Sequence, residues 1–224
     1  DKEMIAVVVR DVKGKNYELP TDDDKKCFEE ACRRLRNEWG NLLNHDLIPL
    51  EEMKEYELNR VTNYGFKKWY EILTERQLLL MSTLLKTIKE VCAEVSDRGY
   101  ANTIATYLGF MLCKHLSYNC IGTTWHTSNE QITNALAFRR PSFCKNFAET
   151  NPFEDTSGSL ISMLKDIVDA VRFAASYSNP TNVVLGSSLH LTELFEDRFD
   201  IILTDPPYLD DVPYGEVSEF FYVW

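Results

Sequence analysis

Thr204-Asp205-Pro206-Pro207-Tyr208 brings together a carboxylate, two rigid prolines and an aromatic ring in five consecutive residues. At average residue frequencies, the last four occur together by chance in about one chain in a thousand of this length. These types suit one kind of chemistry, substitution at an exocyclic amino nitrogen of a nucleobase. The lone pair of that nitrogen is delocalised into the ring. A carboxylate and a backbone carbonyl that accept its two N–H groups hold it and favour the pyramidal form, which exposes the lone pair to an electrophilic carbon. Asp205 is the carboxylate. Pro206 offers a carbonyl without an N–H of its own, Pro207 fixes the backbone that aims it, and Tyr208 stacks on a base turned out of its helix. The competing reading is a stiff turn after a strand, with Asp205 solvated and Tyr208 packed.

The preceding residues favour the first reading. Residues 199–203, Phe-Asp-Ile-Ile-Leu, form a short apolar run of the kind found in buried parallel strands, as do Val183-Val184-Leu185. The connection between them carries Leu191 and Phe195. An acidic residue at the carboxyl end of a strand in an open α/β sheet lies where such sheets bind ligands.

With those residues in place, the chain resembles a known family. Asp205 to Tyr208 looks like the catalytic motif of S-adenosylmethionine-dependent amino-methyltransferases that make N6-methyladenine or N4-methylcytosine in DNA. Asp210, Val212-Pro213-Tyr214, Ser218 and Phe220-Phe221-Tyr222-Val223-Trp224 extend the likeness. Together they resemble the large adenine-specific DNA methylases of archaea and bacteria that carry a zinc-ribbon insertion. Upstream, Ala6-Val7-Val8-Val9-Arg10 with Leu19-Pro20, Asn63-Tyr64-Gly65, Thr74-Glu75-Arg76-Gln77-Leu78, and Phe147-Ala148-Glu149 with Asn151-Pro152-Phe153 agree with that group.

The resemblance implies methyl transfer from S-adenosylmethionine to adenine N6, with cytosine N4 second, on a base flipped out of DNA. It implies catalytic roles for Asp205, Pro206, Pro207 and Tyr208, and a cofactor-facing role for Gly186, Ser187 and Asp205. Two departures stand out. Gly186-Ser187-Ser188 replaces a common Gly-Asp, so the carboxylate that would face the cofactor adenine is missing, and Ser187 could equally cap a turn. The family's glycine-rich cofactor loop is also missing, because the nine glycines never occur as G-x-G. The zinc-ribbon cysteines are absent as well. The sequence therefore reads as a downstream piece of a longer enzyme, an expectation to which Asp1 and an uncapped run at residues 216–224 also contribute. A ribosomal RNA guanine-N2 methyltransferase, or a non-catalytic subunit whose helices bind a partner, would share parts of this pattern.

Several elements must position the motif. Residues 4–19 read as a hairpin turning at Lys13-Gly14-Lys15, and Pro20 ends it. A helix follows from Thr21 or Asp22, weakened near Gly40 and Asn41, and residues 44–63 read as a linker or loosely packed arm. Thr74-Glu75-Arg76-Gln77 is a capping box opening a long helix to about Val95. Residues 101–118 form a second helix, apolar nearly all round and hence central. Ser128 to Gln131 repeats the capping-box pattern and predicts a short helix through Phe138. Residues 141–157 read as loop, and an amphipathic helix spans residues 159–176. Within that loop, Phe147 to Phe153 reads either as a cleft lining or, more simply, as an anchoring segment with both phenylalanines buried. Arg139-Arg140 is a two-residue basic pair, too small to define a phosphate site.

The fold expected is α/β. Residues 1–62 form a hairpin, helix and arm, residues 63–177 a helical region, and residues 178–224 the strand–helix–strand part of a Rossmann-like methyltransferase sheet. The 224 residues, 44% of them hydrophobic, suffice for a real core. The net charge of −11 excludes a surface that grips nucleic-acid phosphates all over, so any such contact is local. The six cysteines lack C-x2-C spacing, which argues against zinc. No secretory signal or apolar run of membrane-spanning length is present, and a cytoplasmic setting fits.

Overall fold

A hairpin opens the chain because two β-branched and aromatic runs flank a turn that its own side chains hold. In the computed structural model, which describes residues 2–54, 61–137, 143–177, 181–190, 199–206 and 214–224, β1 (Val7–Asp11) pairs antiparallel with β2 (Gly14–Glu18). Asp11 Oδ1 accepts the N–H groups of Lys13 at 2.7 Å and Gly14 at 3.1 Å. Gly14 has φ +135°, a conformation that side chains rarely adopt.

Helix α1 (Asp22–Asn44) begins at a capping box. The Asp24 N–H donates to Thr21 Oγ1, and the Thr21 N–H donates back to Asp24 Oδ2. The helix runs through Gly40 and Asn41, because Leu35 and Leu42 on its inner face are buried. Helix α2 (Glu75–Glu94) starts at the expected Thr74–Gln77 box, and α3 (Arg98–Tyr118) at Asp97, whose Oδ1 accepts the Tyr100 N–H. The sequence places α3 centrally, yet apart from Ala101 its buried residues all lie in its second half. Met111, Leu112, His115 and Leu116 are inside, while Tyr100 and Phe110 face solvent.

Two expectations need correction. Residues 128–138 contain no helix among the described residues. Instead β3 (Thr124–His126) pairs antiparallel with β4 (Gln131–Thr133), and Glu130 takes the left-handed φ of +49° that reverses the chain. Burial of Ile132 opposite Trp125 follows the period of two that a strand requires, and this overrides the capping-box pattern. The stretch after Asn44 is not a loose arm where described, since Leu47, Ile48, Met53 and Val61 are buried. Backbone bonds from Met53 N–H to the Lys67 carbonyl and from Trp69 N–H to the Glu51 carbonyl tie it down.

Helix α4 (Leu160–Ala175) is capped by Ser159 and packs against α3 through Leu160 and Met163. Leu164, Val168 and Phe173 on its apolar side remain exposed. Helix α5 (Tyr214–Tyr222) returns to the main core, where Phe220 joins Leu35, Leu42, Trp69, Leu78, Met81 and Leu116. The described fold is thus a mixture of helices with two small antiparallel sheets. Residues 183–185 and 199–203 form no strand pairing among the described residues, and Leu185 and Leu203 are almost fully exposed. A parallel strand is stable only when neighbours pair with it and cover both faces, and the described residues provide neither. No described helix is long and apolar enough to cross a membrane.

Candidate functional site

Asp205 and Pro206 lie at the end of an exposed segment without regular secondary structure. The Asp205 carboxylate has no hydrogen-bond or ion-pair partner among the described residues, so it is available to an incoming N–H donor. Pro207, Tyr208 and Asp210 lie outside the described residues, as do Leu191, Phe195, Phe138, Arg139 and Arg140.

The segment is anchored on its downstream side. Phe220 of α5 is buried edge-on against Trp69, with ring centroids 6.0 Å apart, and against Phe221 at 4.9 Å. Lys54 pairs with Glu219 at 3.3 Å on the same helix. The apolar run after the motif therefore acts as a hook into the helical core. Its aromatic residues point to burial in the sequence, but their partner Trp69 does not.

Gly186 and Ser187 are also exposed. The Ser187 hydroxyl accepts the Leu189 N–H at 3.3 Å, and its carbonyl accepts the His190 N–H at 3.1 Å. Ser187 thus caps the short 3-10 turn Ser188–His190. Gly186, Ser187 and Asp205 all face solvent, and the Ser187 hydroxyl, which accepts one bond, still has its own proton to donate.

The 147–153 segment is an anchoring loop. Phe147 packs on the core, the Thr123 hydroxyl donates to the Ala148 carbonyl, and Arg76 Nε donates to Glu149 Oε1 at 2.9 Å. Asn151 Oδ1 accepts the Phe153 N–H, but Phe153 is exposed rather than buried.

Sequence reasoning did not anticipate the polar chain beneath this loop. Thr74 N–H donates to Gln77 Oε1, Gln77 Nε2 donates to Asn119 Oδ1 at 3.2 Å, and Asn119 Nδ2 lies 3.1 Å from His115 Nε2. The Thr150 N–H also donates to Asn119 Oδ1. An amide nitrogen can only donate, so His115 Nε2 accepts and Nδ1 carries the proton that it donates to the Gly158 carbonyl at 3.0 Å. His115 is therefore the neutral imidazole. Burial pushes its pKa down, and the bond to Gly158 only partly opposes this. Its helical context, Cys113-Lys114-His115-Leu116, was the one available signal that this histidine lies inside.

Comparison of the chain with protein-family models, curated proteins and solved structures finds no match.

Proposed function

We propose that this chain carries the amine-binding part of an S-adenosylmethionine-dependent DNA methyltransferase acting on adenine N6, with cytosine N4 as the second target. One observation carries the reading: the Thr204-Asp205-Pro206-Pro207-Tyr208 sequence, in which the Asp205 carboxylate is open to solvent and unpaired among the described residues. In this reading Asp205 accepts one amino N–H, the Pro206 carbonyl accepts the other, Pro207 stiffens the backbone and Tyr208 stacks on the flipped base. S-adenosylmethionine, when bound, supplies an electrophilic methyl group on a sulfonium. The finer fold belongs to the same proposal: residues 183–185 and 199–203 become neighbouring strands of a Rossmann-like sheet once further chain pairs with them. Gly186 and Ser187 then lie on the cofactor side.

The test is transfer of tritium-labelled methyl to DNA, measured on the protein together with any sequence flanking these residues and followed by nucleoside analysis. N6-methyladenine is expected. Asp205→Ala is expected to lower the rate by about two to three orders of magnitude, the usual effect of deleting one pre-organised polar contact at a reacting centre. It leaves stability unchanged, because the side chain is exposed. Full activity in Asp205→Ala, or label in RNA rather than DNA, overturns the assignment.

A further inference from the structure

The two hairpins meet through their side chains. Cα partners in an antiparallel pair share a face, so Val8, Tyr17, Arg10 and Lys15 project from one side of the β1–β2 ribbon. On that side the indole N–H of Trp125 in β3 donates to Tyr17 Oη at 3.0 Å, and the two rings meet edge to face at 6.1 Å. Lys15 Nζ donates to the Glu130 carbonyl and sits 5.4 Å from the Trp125 ring centroid. The joint is thus a built surface made by two otherwise separate elements.

Its charge runs against that of the chain. Arg10, Lys13 and Lys15 cluster at the tip within a chain of net charge −11. The side chains of Arg10 and Lys13 are exposed and engage no described residue. Asp11 is directed to the turn amides, and Glu18 pairs with Val7 on the opposite face. Glu130 brings one carboxylate to the cluster, 3.4 Å from Tyr17 Oη. Three cations therefore stand against two carboxylates, Asp11 and Glu130, a net positive tip in an acidic chain, beside Tyr17, which is 54% exposed.

We infer that this hairpin joint, Arg10, Lys13, Lys15, Tyr17 and Trp125, is a contact surface for a single DNA strand. Cations spaced along a ribbon meet successive phosphates, and the exposed Tyr17 ring, braced by Trp125, offers a stacking face to an unpaired base. A duplex hides its base faces and would leave Tyr17 without a partner. Strand binding is independent of methyl transfer; only the choice of DNA over RNA rests on the function proposed above.

The experiment titrates a twelve-residue oligothymidylate into the 224-residue chain and follows tryptophan fluorescence at several salt concentrations. Saturable quenching is expected, and it should vanish in Trp125→Phe while Trp39, Trp69 and Trp224 remain. Each phosphate contact on a single strand contributes about −0.7 to the slope of log K against log salt, so three contacts give about −2. Arg10→Gln and Lys13→Gln should each reduce that slope by about 0.7. Tyr17→Ala should weaken binding roughly 5- to 150-fold through lost stacking. Asp205→Ala should bind as the parent does, which separates failure here from failure of the methyl-transfer reading. Unchanged binding in Arg10→Gln and Lys13→Gln variants with parental circular dichroism overturns the inference. So does tighter binding to a duplex or to oligouridylate, or no quenching at about 50 mM salt.

Discussion

His115 Nδ1 donates to the Gly158 carbonyl across 3.0 Å, joining the end of α3 to the residue just before the cap of α4. The bond needs a neutral imidazole, because His115 Nε2 at the same time accepts from Asn119. A second proton would set two donors against each other inside a fully buried cluster.

Stability should therefore fall in acid. The folded pKa of His115 is lowered from 6.5, so the unfolded chain takes up the proton first as pH drops. The contribution is complete above pH 6.5 and is lost progressively below it, towards the folded value. One proton gives a slope of at most about 1.4 kcal/mol per pH unit. Urea unfolding at pH 7.5 and 5.5 measures the loss, and His115→Gln should remove that part of the pH dependence.

Gly158→Ala should destabilise by about 1–3 kcal/mol. Gly158 has φ +86°, and an added Cβ would meet Tyr118 Cβ at 3.1 Å. Backbone strain and close approach act together, and the His115 bond moves with them. An unchanged urea midpoint would show that the turn relaxes freely.

Phe220→Ala should cost about 3–5 kcal/mol, as for other fully buried aromatics. It should also speed amide exchange in α5, because Trp69 loses its ring partner. Exchange in α2 should follow only through the global loss. A variant with parental stability and protection would mean that Phe220 is not part of the core.

Thiol labelling should separate the cysteines. Burial pushes Cys120 up to about 12, so alkylation at pH 8 should spare it in the native chain. Cys27 is exposed and should react first. Mass spectrometry of peptides from labelled native protein checks the order, and rapid modification of Cys120 would contradict its burial.

The sequence announced its helices well. The Thr74–Gln77 box and the apolar spacing after it lie on α2 as expected, because capping and periodicity are local properties. The same box pattern at Ser128 predicts a helix that the described residues do not form. Pairing of Trp125 with Ile132 across a turn at Glu130 is a relation between strands, and no helical window contains it. Residues 44–54 and 61–63 read as linker because their charges mask Leu47, Ile48, Met53 and Val61, all of which are buried in the main core. At the candidate site, residue types alone single out Asp205, and the structure adds that it is exposed. Its anchorage was not legible, since Phe220 finds Trp69 across most of the chain, and Ser187 proved to cap a turn, one of the two roles its type allowed.

That long-range pairing also bears on how the protein reaches its native state. Trp69 lies early in the chain and Phe220 late, yet each buries the other. During synthesis the helices around Trp69 can form and begin to pack, but the place meant for Phe220 stays open until α5 has emerged. Closing so large a loop comes late and slowly. In the interval the emerging chain presents an uncovered indole, and a chaperone that recognises exposed aromatic surface would meet it there first.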